Sequence, residues 1–441
     1  MLPKRHIVNL SPPRLLLLIF LGFVILGTIL LKLPVATTNG ITWLDALFTS
    51  TSAMTVTGLI VVDTGQAFTL FGEIVILCLI QVGGLGIMTF AVLIFIMLGK
   101  KIGLKERLLV QQALNQTNFG GVVYLVKRLF YFSIITETIA ALFLFLRWLP
   151  DMGWKQGLYA AIFHSISAFN NAGFSIWPDS LSRYVGDPIV NIVITFLFIF
   201  GGLGFTVIFD LWNKKEFSKL STHSKLMLIG TLIFNVVAVL FVFIMEYSNP
   251  ETLGKLSISD KLWAAYFQGV VPRTAGFNTV DIGSLDDATL FFMMLLMFVG
   301  AGSASTGGGI KLTTFLAMLL SVFTFLKGKS EVVVFRRTIT DRIVVRSLAI
   351  AIIGLTVVIF AALILNITED ASFIMVLFET VSAFGTVGLS MGLTGDLTEI
   401  GKIVITFVMF VGKLGPLTLA FSFAQPDKSP IRYPKEDILI G

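Results

Sequence analysis

Four short segments constrain this chain more than anything else in it. They read ALFTSTSAMTVTGL (46–59), AIFHSISAFNNAGF (161–174), AYFQGVVPRTAGF (265–277) and VLFETVSAFGTVGL (376–389). Each lies between two long apolar runs and is shorter than the roughly 20 residues that cross a bilayer. Each ends in glycine and an apolar residue, at Gly58, Gly173, Gly276 and Gly388, spaced by 115, 103 and 112 residues. Matching texture at so long a period marks a duplicated unit. Phe48, Phe163 and Phe378 stand ten residues before their glycine, whereas Phe267 stands nine before Gly276. In that third segment Pro272-Arg273 replaces the Ala-Met or Ala-Phe of the others, so the fourfold symmetry is imperfect.

The surroundings of the four segments are those of a membrane protein. Of 441 residues, 56% are hydrophobic and 13% charged, against about 25% charged in soluble proteins. Eight runs suggest spans, at roughly 15–33, 67–99, 127–148, 188–212, 225–246, 287–326, 343–366 and 398–423. The first ends without a small-residue cleavage site and reads as a retained span. The chain therefore divides into units 1–99, 100–212, 213–327 and 328–423, with a tail at 424–441. The expected fold is all-α and membrane-embedded: four tandem helix–pore loop–helix units around a central pore.

The net charge of +6 does not indicate nucleic-acid binding, because the basic residues cluster at the ends of apolar runs. Lys100, Lys101, Lys105, Arg107, Lys127 and Arg128 occupy the first link between units. Lys214, Lys215, Lys219 and Lys225 occupy the second, and Lys327, Lys329, Arg336, Arg337, Arg342 and Arg346 the third. Lys4, Arg5 and Arg14 precede or open the first run, while the loops on the other face are rich in Asp and Glu. The positive-inside rule then places both termini and all links in the cytoplasm of a cell with this protein in its plasma membrane. Two spans per unit make the four units parallel and open their glycine loops outward. One cysteine, Cys78, and three scattered histidines offer neither a disulfide framework nor a zinc site. No nucleophile elbow, HExxH or ATP-binding motif points to an enzyme.

Non-helical backbone at membrane depth is tolerated where it lines a cavity or is buried in protein. Four parallel copies can converge on one axis, where rings of backbone carbonyls replace the hydration shell of a monovalent cation. Glycine supplies the backbone angles that aim a carbonyl inward. The Thr55-Val56-Thr57-Gly58 tetrad also resembles the Thr-Val-Gly-Tyr-Gly of potassium-channel filters. The four-unit plan and the TVTGL, NNAGF, RTAGFNT and GTVGL motifs resemble the Ktr/Trk/HKT superfamily of potassium transporters over essentially the whole chain. Within it the resemblance is greatest to bacterial KtrB-type membrane subunits. It implies that potassium is the transported ion, that no cofactor is bound, and that the filter comprises Thr55, Val56, Thr57 and Gly58; Asn170, Asn171, Ala172 and Gly173; Arg273, Thr274, Ala275 and Gly276; and Gly385, Thr386, Val387 and Gly388. Some members carry Ser at the first glycine and favour sodium, so Gly58 points to potassium. The resemblance further implies a membrane homodimer and a cytosolic ring of nucleotide-binding regulators of the KtrA/KtrC type.

Each unit has a second glycine cluster: QVGGLG (81–86), FGGLGF (200–205), FVGAGSASTGGGIKLTT (298–314) and FVGKLGPLTL (410–419). The first two read as close helix packing through small residues. The third holds Gly300, Gly302, Gly307, Gly308 and Gly309 with Ser303, Ser305 and Thr306, and a helix does not survive that composition. It is no phosphate loop, because Ile310 separates Gly309 from Lys311 and Leu312 follows. It resembles the family's intramembrane gating loop, over 300–309. Lys413, a basic residue deep in the final run, is expected to face the bundle interior and to form a constriction below the filter. Family members commonly have Arg at that place. Glu137 reads as a helix-pairing carboxylate. Thr49, His164, Gln268 and Glu379 share one position after the repeated Phe and read as anchors behind the filter. A sodium- or proton-coupled carrier remains the alternative, although inverted repeats need an odd number of spans per unit.

Overall fold

A computed structural model describes residues 12–86 and 122–415, with the isolated positions 434 and 436. Residues 87–99 of the second apolar run, the link bearing Lys100, Lys101, Lys105 and Arg107, and 416–423 of the last run lie outside the described residues. So do Lys4, Arg5 and the rest of the tail.

The described chain is mostly helical, and its helices fall into repeats. The first contains α1 (Pro12–Lys32), α2 (Trp43–Thr55) and α3 (Leu70–Leu85). The second contains α4 (Val122–Phe169), α5 (Pro188–Leu203) and α6 (Phe205–Lys214). Gly153, at φ 74° and ψ 176°, kinks α4 three residues after Pro150, so an outer stretch and a short inner helix run on from one another. The third contains α7 (Thr222–Glu246), α8 (Ile258–Val270), α9 (Asp287–Phe298) and α10 (Leu312–Leu326). A hairpin of β1 (Val332–Val334) and β2 (Arg337–Ile339) leads to the fourth, with α11 (Asp341–Thr368), α12 (Phe373–Gly385) and α13 (Glu399–Leu414).

Helix length separates the roles. The 25 residues of α7 and 28 of α11 rise about 38 and 42 Å, more than the hydrocarbon thickness of about 30 Å. They expose Leu232, Ile244, Ile352, Phe360 and Ile367 in the manner of lipid-facing helices. The 13 residues each of α2, α8 and α12 rise only about 20 Å and cannot span. These short helices form the centre of the fold. Phe48, Phe163, Phe267 and Phe378, the repeated aromatic position, are all 0% exposed.

Helices end inside the runs 67–99, 188–212 and 398–423, which the sequence reads as second spans, while 287–326 is interrupted where its glycine-rich segment predicts. Among the described residues three helices are long and apolar enough to cross a membrane, or four if α5 and α6, bent by 94°, form one span. The helix α3 stops at Gly86 (φ 86°, ψ 133°), α5 at Gly204 (96°, 132°) and α13 at Gly415 (84°, 134°). In the third repeat α9 stops at Phe298 and α10 begins only at Leu312. Among the described residues a helix thus ends inside the second run of every repeat, not only at 300–309. Hydropathy does not register it, because the breaking residue is a glycine in a backbone region that side chains disfavour.

Polar contacts tie one repeat to the next within the apolar bundle. Tyr159 on α4 donates to Glu73 on α3. Thr195 on α5 pairs with Tyr266 on α8 at 2.9 Å. Lys402 on α13 reaches back to Asp45 on α2 at 2.8 Å, joining the last repeat to the first. Asp45 also completes a capping box with Thr42 at the start of α2. Buried carboxylates do the same within repeats. Glu246, at the end of α7, accepts from the Asp286 N–H that precedes α9, and Glu369, after α11, accepts from the Thr398 N–H that precedes α13.

Candidate functional site

The C-terminal ends of the four short helices turn through one geometry. The residue two before each repeated glycine is left-handed: Val56 (φ 51°), Asn171 (59°), Thr274 (68°) and Thr386 (51°). Val and Thr are β-branched and strained there. The glycines follow at φ 94°, 67°, 77° and 91°. Local hydrogen bonds impose the turn. Thr57 N–H donates to Ser52 O at 2.8 Å, Ala172 to Ser167 O at 2.8 Å and Val387 to Ser382 O at 2.9 Å. The Ser52 and Ser382 hydroxyls accept from Gly58 and Gly388 N–H, each at 3.1 Å. The third repeat has Val270 where the others have Ser, and Ala275 N–H reaches Val271 O instead, at 3.2 Å.

The four loops meet in chain order and close on themselves. A Cβ added at Gly58 would lie 2.4 Å from Ala172 O, and one at Gly173 2.7 Å from Gly276 Cα and 3.0 Å from Ala275 O. At Gly276 it would lie 2.5 Å from Val387 O, and at Gly388 2.2 Å from Thr57 O. Each glycine therefore abuts the carbonyl that precedes the next one, and the fourth abuts the first. No hydrogen bond among the described residues ends on the carbonyls of residues 56–58, 171–173, 274–276 or 386–388. Buried carbonyls are rarely left so. Thr55 and Thr57 pair their hydroxyls at 2.7 Å.

The side chains behind the loops hold them from outside. Nε2 of His164 meets Ser175 Oγ at 3.1 Å, and Glu379 accepts from the Thr394 hydroxyl. With its amide oriented to satisfy both ends, Gln268 accepts from the N–H groups of Thr279 and Val280 at 2.9 and 3.2 Å. Each thereby fixes the segment that follows its glycine, whereas Thr49 Oγ1 has no partner among the described residues. Glu137 accepts from Ser133 (2.8 Å), Gln81 (3.1 Å) and Asn170 Nδ2 (3.5 Å), so it joins α4 to α3 beside the second loop. Glycines of the second clusters bring the broken helices against the short ones. A Cβ at Gly83, Gly201 or Gly412 would lie 2.0 Å from the carbonyl of Met54, Phe169 or Phe384, each four residues before its loop glycine.

The segment 300–309 lies against the inner ends of three of these loops. Thr306 Oγ1 donates to Asn171 Oδ1 at 2.7 Å, and Gly308 N–H to Thr386 Oγ1 at 2.8 Å. A Cβ at Gly307 would strike Thr274 Oγ1 at 2.3 Å. All three partners are the left-handed residues of their loops. Backbone bonds extend the attachment to Gly202 O from Gly302, Gly201 O from Thr306 and Gly412 O from Gly309, at 2.8, 3.2 and 3.2 Å. Gly300 packs on Gly308 O, Ser303 pairs with Thr313 at 3.1 Å, and Ser305 Oγ is buried without a partner among the described residues. Two ammonium groups grip the segment. Lys413 Nζ donates to Thr306 O, and Lys311 Nζ to Gly307 O at 2.5 Å. In the sequence Lys311 serves only to exclude a phosphate loop. Its place directly after a glycine-rich break in an apolar run is the signal that could have found it.

This geometry has relatives. The model of the TrkH family, described as cation transport proteins, matches residues 23–432. The chain is 59% identical over 434 residues to the Ktr system potassium uptake protein B of Bacillus subtilis, covering 98% of each. It is 46% identical over 440 residues to the protein of the same name from Vibrio alginolyticus, covering 99% of this chain and 97% of that one. The potassium/sodium uptake protein NtpJ of Enterococcus hirae is 36% identical over 447 residues, with 99% of each covered. The crystal structure of the potassium transporter TrkH from Vibrio parahaemolyticus superimposes with a TM-score of 0.74 over 96% of this chain and 87% of that one, at 22% identity, which speaks to the fold alone. With a family model matched along nearly its whole length and relatives this similar from end to end, the chain belongs to the TrkH family of cation transport proteins.

Proposed function

We propose that this chain takes up potassium through a channel-like pore whose selectivity filter is the ring of four glycine loops. The observation that carries the reading is the closed cycle of approaches, Gly58 to Gly173 to Gly276 to Gly388 and back to the carbonyl of Thr57. A monovalent cation stripped of water in low dielectric costs on the order of 20 kcal/mol by the idealised Born estimate. Unpaired carbonyls from four sides offset most of that cost. The filter is made by residues 55–58, 170–173, 273–276 and 385–388, mainly through backbone oxygens. Potassium as the ion is supported by the names of the relatives from Bacillus and Vibrio and by glycine, not serine, at position 58.

The segment 300–309 is the gate in this reading. It crosses beneath the filter, and Lys413 and Lys311 add positive charge that holds it and opposes cation passage. The four units run 1–99, 100–212, 213–327 and 328–423, with eight spans in all. The protein works in the plasma membrane with both termini cytoplasmic, as a homodimer under a cytosolic nucleotide-binding ring. The basic clusters at 214–225 and 327–346 support that orientation. A sodium- or proton-coupled carrier is the second reading, favoured by the relative named for both potassium and sodium. A potassium-transport-deficient cell expressing the chain, with and without a candidate regulator, tests the proposal. Growth on low potassium and saturable potassium uptake are expected. Uptake that proceeds only with a sodium or proton gradient, at a fixed stoichiometry, would replace the channel-like reading by the carrier.

A further inference from the structure

The helix α6 and the hairpin β1–β2 share a face that carries more positive charge than its surroundings balance. The helix α6 turns 94° from α5, so with α5 along the membrane normal α6 lies in the plane of the interface. Phe205, Val207 and Ile208 are buried, while Trp212 near its end is exposed. Lys215, Phe217 and Lys219 follow, all exposed. Lys225, near the start of α7, donates to Ser218 O at 2.7 Å. Its ammonium lies 5.8 Å from the Phe217 ring centre and 5.7 Å from that of Phe335, which joins the hairpin tip to the turn after α6. The carboxylates nearby are already engaged. Asp210 pairs with Lys214 at 2.8 Å and Glu216 with Lys219 at 2.9 Å, and Glu331 accepts from Thr338 at 3.3 Å. Lys215, Lys225, Arg336 and Arg337 make no ion pair among the described residues.

The hairpin tip is strained. Val334 pairs with Arg337, which leaves a two-residue turn of Phe335 (φ 49°) and Arg336 (φ 61°). Such a turn favours Asn-Gly, and a bulky residue at positive φ is disfavoured. The strained turn sets an aromatic ring, 42% exposed, beside a guanidinium. Phe325 and Leu326, also exposed, end α10 just before Lys327 and the hairpin. Exposed rings among unpaired cations at the ends of apolar helices are the composition of a membrane–water interface. We propose that this face docks the headgroups of anionic phospholipids in the adjoining leaflet. Each Lys or Arg close to an anionic membrane strengthens attraction about fivefold, while Trp212, Phe217 and Phe335 enter the headgroup layer. The face also reaches the segment 300–309. Phe205, the first residue of α6, donates its N–H to Ala304 O at 2.9 Å, and a Cβ at Gly204 would lie 2.5 Å from Ser303 O. A shift of α6 with its lipids is therefore felt there. That consequence for transport rests on the segment being the gate, but lipid docking does not.

The purified full chain, stripped of lipid in a neutral detergent, is offered equal amounts of phosphatidylglycerol and phosphatidylcholine, and the lipid it retains is counted by native mass spectrometry. Phosphatidylglycerol should be preferred. Arg336→Gln combined with Arg337→Gln should bind it about 25-fold more weakly, having lost two charges. Lys155→Gln, at an exposed lysine of α4 outside this face, should bind as wild type does. Phe335→Asn combined with Arg336→Gly supplies the favoured turn. It should melt no lower than wild type and still lose about fivefold or more in binding, which separates docking from folding. Adding phosphatidylglycerol to phosphatidylcholine proteoliposomes should change initial potassium uptake for wild type and not for the Arg336→Gln, Arg337→Gln protein. No preference in wild type, or an equal preference in wild type and both double variants, overturns the proposal and leaves the face to a soluble protein partner. Lipid docking with no effect on uptake would leave the face standing and count against the reading of 300–309 as the gate.

Discussion

Replacing Lys413 by Met removes the ammonium that holds Thr306 O and keeps the length of the side chain. A hydrogen bond to a charged group contributes about 1.5–3 kcal/mol net. Its loss multiplies the ratio of displaced to seated loop by about 10 to 150, since 1.4 kcal/mol is tenfold. If the displaced loop is a minor state of about 1%, the open fraction rises to between about 10% and 60%, and flux without a regulator rises in proportion. On the proposed reading, with Lys413 beside the pore, removing its positive charge acts in the same direction. Lys413→Arg keeps both charge and donor and should stay within about threefold of wild type. Thr306→Val removes a neutral bond to Asn171 and should give a smaller rise, of about two- to tenfold. The assay is initial potassium uptake into proteoliposomes of known protein content, with no partner added. The reasoning fails if well-inserted Lys413→Met conducts no faster than wild type, for then the loop is packing and the lysine is not its latch.

Further outcomes follow from the close approaches. Gly412→Ala sets a Cβ 2.0 Å from Phe384 O and should cost about 1–3 kcal/mol, read as a lower melting temperature in detergent. Gly22→Ala on α1, with nothing within 4 Å, should melt as wild type does. Lys402→Met leaves the buried Asp45 without its partner and should destabilise by about 1–3 kcal/mol, while adding Asp45→Asn restores part of the loss; a melting curve that is the same for all three proteins rejects the closure role. Gly58→Ser brings a side chain to φ 94° and towards Ala172 O at 2.4 Å, so competition uptake should show a lower preference for potassium over sodium.

Much of this site is legible in the residues, and the limits are specific. The Phe and Gly spacing locates all four loops, because the same short helix must end at the same glycine in each unit. The left-handed Val56 and Thr386 are not legible, since β-branched residues are poor signals for that region. Their angle is imposed by the Ser52 and Ser382 carbonyls and hydroxyls. The helix breaks at Gly86, Gly204 and Gly415 hide inside hydropathy runs that would be equally apolar if straight. Pairings such as Glu73 with Tyr159 or Lys402 with Asp45 depend on which repeats are neighbours. That order appears only once the four loops share an axis.

The pairing of Lys402 with Asp45 bears on how the protein is made. The two residues are 357 apart in the chain. At about 5–20 residues per second, synthesis separates them by roughly 20 to 70 s. During that interval the first three repeats stand in the bilayer as an open arc, with Asp45 and the orphan carbonyls of the first loop lacking their final neighbour. A polar seam left facing lipid is costly, and Lys402 can relieve that cost at Asp45 only once the fourth repeat has arrived. The last 40 or so residues of the described fold, not the first, commit the ring to its final shape.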